Sequence, residues 1–325
     1  MRESLFIKQN TQKWKDYENH KNTGPDDLAE SFISITDDLA YAKTFYPKSN
    51  TTKYLNGLAA SFHQSIYKNK KEKTNRFITF WQYELPLIFY KHRKPLLYSF
   101  IFFMVFCLMG ALSAKYDNTF IRLIMGNDYV NMTNDNIKKG DPFGVYKGGS
   151  SSLMFLQIAF NNILVELYTF VMGIIFSVGS IYQLLNNGIM LGSFEYYFFS
   201  RGLGWQSVLV IWIHGTLEIS AIILAGGAGL VLGNSLLFPK TYKRIVSIKN
   251  GARDGLKIAI GLIPIFLVAA FFESFVTRHT EMPVYLSLLI LLSSLSFIIW
   301  YVIIYPALLN RKFNHNNYTT DETAY

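Results

Sequence analysis

The most constraining feature of this chain is a long apolar stretch, residues 207–238, that contains a histidine and a carboxylate. A helix of roughly 20 apolar residues crosses the hydrocarbon core of a bilayer, so this stretch is long enough to do so. His214 and Glu218 are four residues apart and fall on one face of such a helix. Ionisable groups at that depth are costly and normally face the protein interior or a water-filled cavity. The stretch therefore predicts a membrane-spanning helix with a buried polar site.

The composition extends this prediction to most of the chain. Hydrophobic residues make up 50% of the 325 residues and charged residues only 16%, whereas soluble domains carry about 25% charged residues. The polar residues are concentrated in 1–94, while most of 95–310 is apolar. We therefore predict an all-α polytopic helical bundle at 95–312, preceded by a cytoplasmic juxtamembrane helical region at 1–94. A polar cytoplasmic tail, 313–325, is predicted to be disordered.

Six spans are predicted: 95–114, two within 153–199 that meet near 170–179, and 207–236, 258–276 and 283–309. The loop at 115–150 has nearly balanced charges and is predicted to be external. The loop before the fifth span has a single acid, Asp254, against Lys240, Lys243, Arg244, Lys249, Arg253 and Lys257. Because Lys and Arg accumulate on the cytoplasmic side, this pattern predicts an inner (plasma) membrane protein with both termini in the cytoplasm.

A basic run leads into the first span, and its residues are Lys68, Lys70, Lys71, Lys73, Arg76, Lys91, Arg93 and Lys94. Such a run can bind nucleic acid. Beside a span it more often sets topology and meets anionic lipid, so we predict membrane lipids and no nucleic acid as partners. Two helices with apolar periodicity are predicted at 26–46 and 54–67, and an aromatic, basic segment at 76–90 is predicted to lie along the membrane surface.

Polar residues recur inside the predicted spans. The predicted intramembrane polar cluster consists of Asn161, Asn162, Glu166, Asn187, His214, Glu218 and Glu273. Glu195 and Glu273 lie near predicted span ends, where an interfacial structural role is the better interpretation.

Small residues recur at helical spacing in two spans. Ala221, Ala225, Gly229 and Gly233 follow one another every four residues, and Gly188 and Gly192 do the same in the third span. Small residues at this spacing let two helices approach closely. Gly226 and Gly227 weaken the helix and predict a break there, which is common where membrane proteins bind ions.

Three interpretations of the polar cluster remain open. His214, Glu218 and Glu166 are residue types that bind zinc, although the second histidine of a His-Glu-x-x-His pattern is missing. Buried His and Glu can relay protons or cations. A hydrogen-bonded cluster can also simply stabilise the bundle. We predict no catalytic residue and no cofactor, since the sequence contains neither a catalytic triad order nor a phosphate-binding loop, and Cys107 is the only cysteine.

Several short motifs together resemble one family. They are His214-Gly215 with Glu218, Ala225-Gly226 with Gly229, Asn161-Asn162, Asn187-Gly188 with Gly192, Ala269-Ala270 with Glu273, and the N-terminal Asp38-Leu39-Ala40, Tyr54-Leu55-Asn56 and His63 with Ile66-Tyr67. In order and spacing they resemble the stage II sporulation protein M family of integral membrane proteins, a domain of unknown function. The resemblance implies a helical membrane protein of about this span count. In spore formers it implies a scaffold in a complex that directs peptidoglycan hydrolases during engulfment.

We therefore predict a membrane scaffold that organises a membrane or cell-envelope complex, forms a homo-oligomer and binds protein partners through the 115–150 loop and the cytoplasmic helices. The alternative is a transporter or channel-like protein whose pocket is built from Asn162, Glu166, Asn187, His214 and Glu218. An intramembrane metalloenzyme ranks last among the three, and the prediction leans away from an enzyme.

Overall fold

A computed structural model of the chain describes residues 1–19, 25–66 and 75–321. These described residues form helices joined by turns and contain no strand, so the predicted all-α fold is confirmed. They divide into two compact units, Met1–Arg76 and Phe77–Tyr325. Lys68, Lys70, Lys71 and Lys73 of the basic run lie outside the described residues.

The first unit consists of helices α1 Glu3–Asn19, α2 Pro25–Phe45 and α3 Asn50–Ile66. Apolar periodicity predicts α2 and α3 but not α1, which contributes Phe6 and Trp14 to a buried core of the unit. The Trp14 indole donates a 2.8 Å hydrogen bond to Asp38. Hydroxyl groups of Ser49 and Thr51 donate to Glu3 and lower the pKa of that carboxyl. The first unit thus has its own hydrophobic core and its own side-chain hydrogen bonds.

The second unit contains the apolar helices. They are α4 Arg76–Thr79, α5 Leu85–Lys91, α6 Arg93–Tyr116, α7 Asn118–Met125, α8 Asn127–Lys138, α9 Ser151–Val171, α10 Val178–Phe199, α11 Gly204–Leu237, α12 Arg244–Phe271, α13 Val284–Ile299 and α14 Tyr305–Asp321. Single π-helical turns, Phe80–Glu84, Phe272–Val276 and Trp300–Ile304, join α4 to α5, extend α12 and join α13 to α14. The tail predicted to be disordered begins inside α14, so its residues up to Asp321 are helical.

Among the described residues, five helices are long and apolar enough to cross a membrane. They are Arg93–Tyr116, Ser151–Ile174, Gly204–Leu237, Arg244–Val276 and Val284–Phe313. The remaining predicted span corresponds to α10, whose 22 residues include Gln183, Asn186, Asn187 and Glu195 and which is not one of the five. A membrane protein is therefore supported by five helices, one fewer than predicted.

Helix α11 is the centre of the second unit, and it packs against α6, α9, α10, α12 and α13. It is continuous for 34 residues, so the break predicted at Gly226 and Gly227 is wrong. These glycines instead leave room for neighbouring side chains: a Cβ at Gly226 would lie 2.6 Å from Leu184, and one at Gly227 would lie 3.1 Å from the Leu96 backbone. Close packing, and not a functional break, accounts for this glycine-rich turn.

The joint between α9 and α10 lies within the predicted range. A short 3-10 turn, Met172–Ile174, follows α9, and α10 begins at Val178. Phe176 and Ser177 between them have φ of 50° and 68°, the left-handed region that reverses the chain. The reversal brings Gly173 against the Gly229 backbone of α11.

The segment between α6 and α9, predicted as a loop, is mostly folded. The apolar residues of 120–125 favour a short interfacial helix, and they lie within α7, whereas α8 was not predicted. Ile121, Val130 and Phe143 pack on Tyr197 and Phe198 near the end of α10. We call residues 117–150 the cap.

Candidate intramembrane polar site

One turn of α11 supplies the centre of the site. His214 and Glu218 project from the same face, and Glu273 reaches them from the π-helical turn that extends α12. One potential ligand atom from each of these three residues lies within 4.8 Å of the others. The His214 Nε2 and Glu273 Oε2 atoms are 4.0 Å apart, which is too long for a hydrogen bond. His214 is only 4% exposed, whereas Glu218 and Glu273 are partly buried.

Two residues that the sequence did not indicate complete the surroundings of His214. Its Nδ1 atom is 3.0 Å from the Thr277 hydroxyl, and its ring meets the Tyr146 ring edge-on, with centroids 5.8 Å apart. Thr277 follows Glu273 by four residues, so helical spacing could have indicated it. Tyr146 lies in a 3-10 turn of the cap, Gly144–Lys147, and no local pattern marks it.

The cap keeps Tyr146 against the carboxyl groups. Burial, with the phenol of Tyr129 and the carboxyls of Glu273 and Glu218 nearby, raises the pKa of Tyr146 well above its usual value. The phenol is therefore neutral at physiological pH. Arg278 donates hydrogen bonds of 2.9 Å to the Lys147 and Gly149 carbonyls, which fixes the cap beside the end of α12.

Helix α9 contributes an unusual pair of side chains one turn apart. Asn162 lies beside the Glu218 carboxyl and is 8% exposed, and its buried amide nitrogen has no well-formed hydrogen bond. Glu166 is fully buried, and neither of its carboxyl oxygens has a hydrogen-bond partner. Buried polar groups without partners are rare in native structures and call for a specific explanation, such as a bound ion or water.

The structure corrects two members of the predicted cluster. Asn161 is exposed, because adjacent residues on a helix point about 100° apart and Asn162 occupies the inner face. Asn187 is partly buried and donates a 2.8 Å hydrogen bond to the Gln183 carbonyl of its own helix. The group with metal-binding spacing also differs from the predicted set, since Glu273 takes the place expected for Glu166. A residue near a span end looked interfacial in sequence, but the π-helical turn directs it inward.

Glu195, for which an interfacial role was expected, has separate partners. It accepts a 2.7 Å hydrogen bond from the Trp212 indole and a 3.4 Å one from the Ser207 hydroxyl. These bonds join α10 to the part of α11 that precedes His214. Glu195 therefore has indole and hydroxyl partners, whereas Glu273 lies beside the His214 imidazole.

A cavity of about 450 Å³ opens beside the site. Thr277 and Ile213 line it together with polar residues of the cap and of the turn after α12, namely Asp141, Lys147, Gln206, His279 and Glu281. Thr277 also contacts His214, so one residue separates the cavity from the buried imidazole.

The predicted small-residue positions lie at close helix contacts. Ala221 and Ala225 are fully buried, while Cβ atoms at Gly229 and Gly233 would collide with Ser180 and Ser177. On α10, Gly188 and Gly192 face α6, where a Cβ at Gly192 would collide with the Cys107 carbonyl. These contacts join α11 to α10 and α10 to α6.

Comparison with models of known protein families shows to which family the chain belongs. A family model for stage II sporulation protein M matches residues 99–278, more than half of the chain. The chain belongs to the stage II sporulation protein M family. The family match covers α6 to Arg278 almost completely and includes His214, Glu218 and Glu273.

A second family model, a domain of unknown function (DUF8413), matches residues 4–68, most of the first unit. Neither the curated proteins nor the solved structures gave a match. The family assignment confirms the resemblance carried by the sequence motifs. The two matches also follow the division of the chain into two units.

Proposed function

We propose that this chain is a rigid scaffold in the plasma membrane that organises a membrane or cell-envelope complex. We further propose that it crosses the membrane six times with both termini in the cytoplasm. The 22 residues of α10 span about 33 Å at 1.5 Å per residue, enough for the sixth crossing. The glycine contacts support alternating directions, since Gly188 and Gly192 of α10 meet Phe103 and Cys107 of α6 in the same order.

The observation that carries the scaffold proposal is the backbone contact around α11. Three residues outside α11 lie at or near van der Waals contact with it: Gly173 meets Gly229, Ser177 meets Gly233 and Gly251 meets Ser235. Proteins that alternate between two open states move one group of helices past another, often around broken helices. A continuous α11 held at several backbone contacts favours a fixed architecture instead.

The transporter alternative is supported by a different observation. The cavity of about 450 Å³ reaches Thr277, which contacts His214, and Glu218 and Glu273 lie near that histidine. The bundle also buries Glu166 without a hydrogen-bond partner. A solute or ion entering from the cap side would therefore meet ionisable groups. Farther along α11 the buried side chains are apolar or small, among them Ile222, Leu224, Ala225, Ala228 and Leu230, which argues against a continuous polar path.

The scaffold proposal predicts different results for variants of the polar site and variants of the exposed surface. We expect the double variant His214→Gln plus Glu218→Gln to recover the same membrane partners as the wild type when the proteins are cross-linked in native membranes and purified. Recovery should instead fall for Leu123→Glu on the exposed face of α7 or for Ile33→Glu in the first unit, both of them exposed residues. The scaffold proposal is wrong if all variants recover the same partners in equal amounts.

The transporter alternative is tested with the same polar double variant in proteoliposomes. A transporter should lose cation or proton flux in the double variant while the protein still inserts and elutes as one species. Equal flux in wild-type, double-variant and protein-free liposomes would exclude transport of the tested ions. Oligomeric state, for which we propose a homo-oligomer, is measured on the same samples by native mass spectrometry.

A further inference from the structure

We propose that His214, Glu218 and Glu273 bind one divalent transition-metal ion, with zinc as the best match. This inference is independent of the scaffold proposal, because zinc binding is measured on the purified chain without any protein partner. The three potential ligand atoms already lie within 4.8 Å of one another. Zinc bonds of about 2.1 Å to nitrogen and oxygen place ligands roughly 3.4 Å apart in a tetrahedron. Small side-chain rotations therefore suffice to close the site.

The charge of the site matches a divalent ion. Two carboxylates and a neutral imidazole carry a charge of −2, which one divalent cation neutralises in an interior where uncompensated charge is costly. Among the described residues, neither Glu218 nor Glu273 forms an ion pair with a lysine or an arginine. Arg278, the basic residue next to Thr277, donates to the Lys147 and Gly149 carbonyls. The compensating charge is thus not supplied by a nearby side chain.

The histidine is already oriented as a metal-binding histidine. Its Nδ1 is 3.0 Å from the Thr277 hydroxyl, while Nε2 is on the side of Glu273. Metal-binding histidines commonly donate the proton of one ring nitrogen to such a partner, which fixes the tautomer and leaves the lone pair of the other nitrogen for the metal. Thr277 therefore acts as a positioning residue for His214.

An independent observation points to a ligand in this place. The Asn162 amide nitrogen is buried beside Glu218 and makes no well-formed hydrogen bond there. An ion at the site normally retains a water or another oxygen ligand in its fourth position. A metal-bound water would give the Asn162 side chain a partner. The neighbouring cavity of about 450 Å³ reaches Thr277, the residue that contacts the His214 ring.

Imidazole is a ligand for zinc, copper, iron and nickel, whereas magnesium prefers oxygen ligands only. One histidine and two glutamates form a set close to the two histidines and one glutamate of several zinc sites. The charge and ligand types together favour zinc over magnesium or a monovalent ion.

The test uses the full-length chain purified in detergent, stripped with chelator, incubated with zinc chloride and desalted before metal analysis. We expect about one zinc per chain for the wild type, and magnesium chloride in hundredfold excess should not displace it. His214→Gln and the double variant Glu218→Gln plus Glu273→Gln should lose the zinc. Glu195→Gln and His279→Gln are matched controls, one a partly buried carboxyl and the other a cavity histidine, and should retain it.

Two further variants keep the proposal testable if the double variant does not fold. Thr277→Val should retain the stoichiometry at saturating zinc but weaken affinity roughly 10- to 100-fold, as is usual for a partner of a metal-bound histidine. Glu166→Gln should leave zinc binding unchanged. Folding is checked for each variant by its elution as a single species. A folded wild type without zinc, retention of zinc by a folded His214→Gln variant, or its loss in His279→Gln would overturn the proposal.

Discussion

The two ends of α11 are held in different ways. The end that includes His214 and Glu218 contacts its neighbours through polar groups, with Glu273, Thr277 and Tyr146 as partners. Beyond Ala221 the contacts are steric, since glycines meet backbone and small side chains of α9 and α10. Steric contacts fix the distance between two helices, so a glycine at such a contact cannot be replaced by a larger residue. Polar contacts specify partners, but an apolar set of the same shape can replace them at little cost.

The largest expected effect is at the steric end. Gly229→Leu should lower the free energy of unfolding by about 1–3 kcal/mol or more, because even its Cβ would collide with Ser180 and lie 2.9 Å from the Thr169 carbonyl. The measurement is the temperature at which the detergent-solubilised protein loses its single elution peak.

Gly215 offers a matched control in the same helix. A Cβ at Gly215 meets no neighbouring atom within 4 Å. Gly215→Ala should therefore stabilise the protein by ~0.5–1 kcal/mol through helix propensity. Equal stability of Gly229→Leu and wild type would contradict the close-contact description of α11.

At the polar end, a single apolar substitution should cost more than several together. His214→Leu removes one polar partner and leaves two partly buried carboxyls, with an expected cost of about 1–3 kcal/mol. The triple variant His214→Leu, Glu218→Leu, Glu273→Leu should recover much of that loss, because apolar side chains of similar size need no partners. The stability of the single and the triple variant is measured by thermal unfolding of the zinc-free proteins. A triple variant less stable than His214→Leu would contradict the expectation that an apolar set can replace the polar contacts.

A smaller effect is expected where the cap contacts α10. The Tyr197 hydroxyl is 2.8 Å from the Asn134 side-chain oxygen and 3.4 Å from the Val130 carbonyl. Tyr197→Phe keeps the buried ring and removes these bonds, so stability should fall by roughly 0.5–1.5 kcal/mol. Amide hydrogen exchange should increase in α8 and remain unchanged in α12. Faster exchange across both helices would mean that the cap and the bundle unfold together.

The smallest effect is expected at the start of α7, and it depends on pH. Asp117 accepts hydrogen bonds of 2.8 and 2.7 Å from the Thr119 amide and hydroxyl, which lower the pKa of its carboxyl. Its contribution is therefore complete above the ordinary value of 3.8 and is lost as the pH falls through the lower folded value. The stability difference between wild type and Asp117→Ala should shrink as the pH is lowered from 7 to 3. A difference independent of pH would show that the charge of Asp117 has no part in the cap.

Local patterns predicted much of this architecture. Apolar length located the spans, and the four-residue spacing of Ala221, Ala225, Gly229 and Gly233 indicated the packed face of α11. The spacing of His214 and Glu218 likewise placed them on one face. In contrast, α8 was not predicted because it is mostly polar and buries only Val130 and Thr133. Packing against α10 stabilises this helix, and that contact cannot be read from the sequence of α8 itself.

Sequence alone determined the membrane class, the helical fold, the family and the two ionisable residues of α11, since each depends on length, composition or spacing within one segment. Tertiary structure decided which acid joins them. A π-helical turn directs Glu273 towards His214, and the 3-10 turn of the cap brings Tyr146 to the same ring. These contacts join residues more than 50 positions apart in the chain, and their geometry follows from how whole helices pack rather than from any local pattern.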